Sequence, residues 1–243
     1  MIVMIPTQSH STLTLVVKGD GGHSMPVRKI GLCYRSVSGR VPIGQGRPGV
    51  QVESTLERDF ALLCRFDPSV VGIEEQPVRI EYNDADGRAR SYVPDFLVTY
   101  RGGRPVPRLV EIKYSTDPML ISGQLDGRFA AARAYGRRHG WRFELVTERE
   151  VRTPRLENAT FLLPFRGRSI AAGLREGLRA VLQKGGPQSV VSLADEVAEA
   201  LGLSRPEVLP GIWTMVAEFK IAVDLDRPLT MGSLVTLAKE TRP

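Results

Sequence analysis

The sequence predicts an α/β protein, a mixed sheet flanked by helices with a smaller and mostly helical unit behind it. Two observations carry that expectation. Between residues 54 and 149, helical and strand-like periods follow one another as they do in layered α/β packing. From about residue 156 the pattern turns to short helices ending in a strand and turn. The composition, 42% hydrophobic and 25% charged over 243 residues, suits one large or two modest globular domains.

The first 26 residues mix Gly, Ser, Thr and His without a sustained period and are expected to form a flexible N-terminal arm, apart from a short β-like TLTLVV. Residues 27–155 make the main domain. It begins with extended, Gly- and Pro-punctuated pieces (SGRVPIGQGRPG) whose glycines lack the Gly-Lys-Ser/Thr ending of a phosphate loop. ESTLERDFALLCRF then has Leu56, Phe60, Leu63 and Phe66 on one helical face, a capping box of Ser54 with Glu57, and a stop at Asp67-Pro68. VVGIEEQPVRIEY reads as a strand interrupted by Pro77, and NDADG as a turn.

Val93–Lys113, VPDFLVTYRGGRPVPRLVEIK, is two apolar β-type runs joined by a Gly-Gly turn. A second helix, from about Gln124 to His139, has Leu125, Phe129, Ala132 and Tyr135 or Gly136 along its seam. The strand WRFELVTER closes an α/β unit beside the hairpin. In residues 156–243, SIAAGLREGLRAVL, SLADEVAEALGLS (with Ser192 as expected N-cap) and RPEVLPGIWTMVAEFK read as helices, and IAVDLDRPLT as a strand and turn. That order describes a winged-helix-like domain. Its third helix carries Glu207 and Glu218 against Lys220 and Arg205, which favours protein contact over groove reading.

Charge and cysteine usage narrow the function. The net charge is +6, and no acid offsets Arg28, Lys29, Arg35, Arg40 and Arg47 between Gly21 and Val52. A second basic stretch, Arg128 to Arg155, includes Arg133, Arg137 and Arg138 on the second helix, whereas the chain from Ser189 onward is acidic. Arg28, Lys29, Arg40, Arg47, Arg133, Arg137 and Arg138 are therefore candidate contacts to DNA phosphates. Cys33 and Cys64 lack paired metal or redox spacing and read as reduced hydrophobes. His10, His23 and His139 form no constellation. No apolar run approaches the roughly 20 residues of a membrane span, and the opening lacks a signal-peptide pattern, so the expected location is the cytoplasm.

The hairpin holds the chemistry. Asp95, Glu111 and Lys113 stand in runs that should be core, where an unpartnered carboxylate costs several kcal/mol or shifts its pKa. Paired antiparallel across the turn, Asp95 and Glu111 would face one another, with Lys113 on the same face as Glu111 and Ile112 turned into the core. Two close carboxylates repel unless a cation lies between them, and hard oxygen donors suit Mg²⁺ or Mn²⁺. A lysine beside them could orient water or stabilise charge on a transferring phosphate. Glu57, on the preceding helix, is the candidate third carboxylate and could also be the capping acid; Glu53 lies one turn earlier. A structural ion pair of Lys113 with Glu111 or Asp95 is the alternative.

Glu57, Pro94-Asp95 and Glu111-Ile112-Lys113 together resemble the PD-(D/E)xK core of restriction-endonuclease-like nucleases. ESTLERDFALLCRFDPSVVGIEEQP with YVPDFLV, LVEIK and GWRFELVTER resembles, more narrowly, the TnsA-type endonuclease subunit of heteromeric transposases, over about residues 28–155. The resemblance implies a bacterial Mg²⁺-dependent endonuclease, Mn²⁺ substituting, that nicks the 5′ strand at transposon ends in double-stranded DNA. It implies two partners, a DDE-type transposase that handles the 3′ strand and an AAA+ ATPase regulator. Asp95, Glu111 and the Ile112 carbonyl would hold the metal, Glu57 would ligate it directly, through water or at a second ion, and Lys113 would position the attacking water. Two other classes stay open: a stand-alone restriction-like or junction-resolving nuclease, and a non-catalytic adaptor of the same fold.

Overall fold

The computed structural model describes residues 54–239 together with the backbone of two short strands, β1 (Gly39–Val41) and β2 (Val50–Val52). Helix α1 (Thr55–Phe66) leads into β3 (Val70–Glu75), the hairpin β4 (Ile80–Asn83) and β5 (Ala89–Tyr92), and the pair β6 (Phe96–Tyr100) and β7 (Arg108–Ile112). A short α2 (Pro118–Ile121), α3 (Asp126–His139) and β8 (Arg142–Val146) follow, then α4 (Glu148–Val151) and α5 (Pro154–Leu162). The remainder is α6 (Ala172–Gly185), β9 (Gln188–Ser189), α7 (Val190–Leu201), α8 (Arg205–Ala217), β10 (Ile221–Val223) and β11 (Leu234–Leu237). The expected TLTLVV strand, Cys33, His10, His23 and Glu53 lie outside the described residues.

Four strands form the central sheet in the order β3-β6-β7-β8, antiparallel except for the parallel pair β7 and β8. A parallel neighbour needs a crossover, and α3 supplies it. The expected turn between β6 and β7 holds Gly102 (φ 66°) and Gly103 (φ 67°), both in the left-handed region that glycine enters without a Cβ penalty.

Both faces of this sheet are covered, which is why its strands are apolar runs rather than alternating ones. On one side Phe96, Val98, Val110, Ile112 and Val146 pack with Leu56, Phe60, Ala61 and Cys64 of α1. On the other, Leu97 and Leu109 pack with Ile80, Tyr92 and Ala132, bringing the β4-β5 hairpin and α3 together. The interruption expected at Pro77 separates two strands that pair apart, β3 with β6, 20 or more residues away, and β4 with β5.

In the C-terminal unit α6, α7 and α8 pack on the antiparallel sheet β10-β11-β9. Ser189 rather than Ser192 caps α7, its hydroxyl accepting from the Ser192 N–H at 3.1 Å. The core of this unit extends into the first domain: Phe66, at the end of α1, is 2% exposed within it.

Candidate active site

Strand register brings the first two candidates together. Phe96 pairs with Val110, so Asp95 and Glu111 are the next residues outward on the facing strands, on the side of Leu97 and Leu109. Glu111 is 2% exposed. Its Oε2 accepts from the Tyr92 hydroxyl at 2.6 Å, and its Oε1 pairs with the Lys113 ammonium at 2.9 Å. Lys113 also donates to the Ile112 carbonyl at 3.1 Å, so the ammonium lies between two of the oxygens expected to face a metal. Asp95 Oδ2 accepts from the Ile112 N–H at 2.6 Å.

Glu57 stands on another element, α1, and does not converge with Asp95 and Glu111 as a third ligand. Ser54 caps α1, accepting from the Glu57 N–H at 3.1 Å, and the Ser54 hydroxyl lies 3.0 Å from Glu57 Oε1. The Ser54 half of the expected capping box is therefore present, with the Glu57 carboxylate accepting from the Ser54 hydroxyl, and the Glu57 charge also acts on Asp95 and Lys113. Among the described residues no three acidic, histidine or cysteine side chains converge as a metal-binding group. Asp95 and Glu111 are the two carboxylates that the strand register sets side by side. Mg²⁺ keeps much of its water and is commonly held by one or two carboxylates plus substrate phosphates, so two hard-oxygen acids beside a backbone carbonyl fit it.

The charges are coupled. Asp95 is ringed by protein, and burial, then Glu111, then Glu57 push its pKa well above the ordinary carboxylate range despite Lys113 and the Ile112 N–H. Burial works against the Lys113 charge, but Asp95, Glu111 and Glu57 outweigh it and raise its pKa. Tyr92 is raised first by burial and then by Glu111, so it stays a protonated donor.

The raised Asp95 pKa has a stability consequence. The folded protein holds that proton to higher pH than the unfolded chain, so stability falls as pH climbs from the ordinary carboxylate range through the raised value. Asp95→Asn, which keeps an oxygen for the Ile112 N–H, should therefore melt higher than the parent at neutral pH in chelator. The expected rise is roughly 2–4 °C for each ~1 kcal/mol relieved. Calorimetry showing a lower melting temperature would refute the repulsion.

Several supporting residues were not foreseen. Tyr92 and Arg128 are the nearest; the Arg128 guanidinium stacks 5.8 Å from the Tyr92 ring centroid. On the α1 side, Asp59 is 7% exposed and pairs with Arg58 and Arg152, at 2.8 and 3.3 Å. Arg152 also donates to Thr55 and to the Tyr114 hydroxyl, both at 3.1 Å. That cluster ties the first turn of α1, which carries Glu57, to the residue after Lys113. A buried acid in an apolar helix seam was a readable signal for Asp59; a lone tyrosine at a strand end gave none for Tyr92.

The other candidates fall in two groups. Arg133, Arg137 and Arg138 are exposed on α3, which packs on the face that carries Glu111. Arg28, Lys29 and Arg47, and the side chain of Arg40, lie outside the described residues. A cavity of about 270 Å³ lined by Phe60, Cys64, Phe66, Arg108 and Phe219 contains none of the candidate acids. Burial pushes the Cys64 thiol up to about 12, so it is the small neutral hydrophobe expected of it. No helix among the described residues is long and apolar enough to cross a membrane.

Comparison with known families adds an independent line. Residues 67–148 match the family described as TnsA-like endonuclease N terminal, a span that includes Asp95, Glu111 and Lys113 but begins after Glu57. Among curated proteins nothing matches. A mixed sheet flanked by helices, paired acids at its centre and this match agree, and over residues 67–148 the chain is similar to the TnsA-like endonuclease N-terminal family.

Proposed function

We propose that this chain is a Mg²⁺-dependent DNA endonuclease, the subunit of a heteromeric transposase that cleaves the 5′ strand at transposon ends. The carrying observation is the placement of Asp95 and Glu111 side by side across β6 and β7, with the Lys113 ammonium on Glu111, inside the family match. Asp95, Glu111 and the Ile112 carbonyl would hold the ion, with Glu57 acting through water or at a second ion. When bound, Mg²⁺ supplies Lewis-acid polarisation of the phosphate and a more acidic water.

The chain's own groups do the rest. The Ile112 N–H holds the Asp95 carboxylate in place, Tyr92 and Lys113 hold that of Glu111, and the Lys113 ammonium is positioned to orient the attacking water. Exposed Arg133, Arg137 and Arg138 supply positive charge for the duplex backbone.

The C-terminal unit reads as a winged helix, with α6, α7 and α8 on a three-stranded sheet and residues 224–233 as its wing. It is fitted to a protein partner rather than to DNA. Gly211–Ala217 of α8 is buried, Arg205 is paired with Asp195 at 2.6 Å, Glu207 caps its own helix and Glu218 pairs with Arg175 at 3.2 Å. The expected partners are a DDE-type transposase and an AAA+ regulator.

The test uses end-labelled transposon-end DNA with the partner transposase. The parent chain should nick the 5′ strand only with Mg²⁺ or Mn²⁺. Asp95→Ala should lose that nicking by about 10³-fold, the worth of several kcal/mol of transition-state stabilisation, and leave 3′ cleavage intact. Nicking by Asp95→Ala at the parent rate would overturn the proposal. Cleavage by the parent without the transposase would point to a stand-alone nuclease, and DNA binding without cleavage to an adaptor.

A further inference from the structure

Tyr92 ends β5 and is 6% exposed, over the sheet face that carries Glu111. Its hydroxyl donates to Glu111 Oε2 at 2.6 Å, while Oε1 faces Lys113. The two oxygens of this carboxylate are therefore not equivalent. Oε2 is committed to the β4-β5 hairpin, and Oε1 is directed to the side where Lys113 and the Ile112 carbonyl meet. Arg128 stacks on the Tyr92 ring and helps hold it there.

We propose that Tyr92 is a positioning residue that limits Glu111 to one-oxygen ligation and so makes the site discriminate for Mg²⁺ against Ca²⁺. This rests on the metal-binding reading of Asp95 and Glu111 given above. Mg²⁺ takes near-ideal octahedral geometry with one oxygen from each carboxylate. Ca²⁺ takes six to eight oxygens at longer distance and readily chelates both oxygens of one carboxylate. A hydroxyl bound to Oε2 resists the rotation that two-oxygen chelation requires, because that rotation would break a buried hydrogen bond to a charged group. The penalty falls on Ca²⁺ and leaves Mg²⁺ untouched.

Tyr92→Phe removes the hydroxyl and keeps the ring under Arg128. With the full chain and no DNA, Mn²⁺ bound to the protein is followed by electron paramagnetic resonance and displaced by Mg²⁺ or by Ca²⁺. The ratio of Ca²⁺ to Mg²⁺ affinity should rise about 10- to 100-fold in Tyr92→Phe, equivalent to the roughly 1.5–3 kcal/mol of one such hydrogen bond. An unchanged ratio, with Mn²⁺ still bound by the parent and lost in Asp95→Ala, would overturn the role of Tyr92 alone. Mn²⁺ binding that is the same in the parent and in Asp95→Ala would overturn the metal reading and this inference with it. Carboxylate infrared difference spectra of the parent, with and without Ca²⁺, give a second readout independent of the variant. Their wide antisymmetric-to-symmetric splitting, the sign of one-oxygen ligation, should persist; a narrowed splitting at Glu111, identified by its loss in Glu111→Gln, would overturn the proposal.

Discussion

Lys113→Met should lower 5′ nicking by about 10³-fold and, at the same time, tighten the binding of Mn²⁺ to the DNA-free protein by roughly 5- to 10-fold. The two effects have opposite signs because the proposed mechanism gives Lys113 two roles. Its ammonium lies 2.9 Å from Glu111 Oε1 and 3.1 Å from the Ile112 carbonyl, so it sits where a divalent cation would find two of its oxygens. Asp95, Glu111 and Glu57 keep it protonated against the effect of burial. Without an ion the lysine neutralises the acids; for an ion to enter, the side chain must swing aside. Its partial exposure, 28%, leaves room for that movement. Removing it deletes a competitor for the carboxylates and also the group that orients water. Titrating Mn²⁺ by electron paramagnetic resonance separates the roles, and weaker binding in Lys113→Met would sink the competition. The ion pair that the sequence offered as the alternative to catalysis is thus present, and in the proposed mechanism it is the resting form of the catalytic lysine.

Much of the hairpin was legible because its signals are local. Glycines at Gly102 and Gly103 locate the turn, and counting outward from it places Asp95 opposite Glu111. The N-cap at Ser54 fixes where α1 begins and hence which way Glu57 points. The parallel strand β8 followed from the crossover helix before it. Less legible was what depends on distant pairing. VVGIEEQPVRIEY reads as one strand interrupted at Pro77, yet β3 pairs with β6, and β4 and β5 turn away as a separate hairpin that delivers Tyr92 to Glu111. Nothing about one tyrosine distinguishes a strand-end aromatic in a core from one whose hydroxyl holds a carboxylate. Asp59 was a missed opportunity, since an acid inside an apolar seam requires partners, and here they are Arg58 and Arg152. At the other end of α1, Phe66 was read as part of the first domain's helical face, but its ring enters the core of the C-terminal unit.

That shared position makes Arg166 the residue with the largest expected effect on stability. Its guanidinium donates to the carbonyls of Arg65 at 2.8 Å, Phe66 at 2.6 Å and Ala217 at 3.1 Å, the last residues of α1 and α8. It also lies 4.9 Å from the Phe66 ring and 5.4 Å from that of Phe219. One cation thus closes the negative ends of two helices, one from each unit, and covers the aromatic contact between them. Arg166→Ala leaves three carbonyls without their donor, and at about 1.5–3 kcal/mol for each charge-assisted bond, discounted for water reaching the half-buried site, should cost roughly 3–5 kcal/mol. Lysine cannot reproduce a planar fork that reaches three acceptors, so Arg166→Lys should recover less than half of that loss. In a Trp141→Phe background, urea unfolding followed by Trp213 fluorescence and by far-ultraviolet circular dichroism should be coincident with Arg166 present and separate in Arg166→Ala, as the C-terminal unit melts away from α1. Because α1 carries Glu57 at its opposite end, nicking should decline in this variant before either unit unfolds. Arg166→Lys with the stability of the parent would show that charge alone, without the fork, holds the two helix ends together.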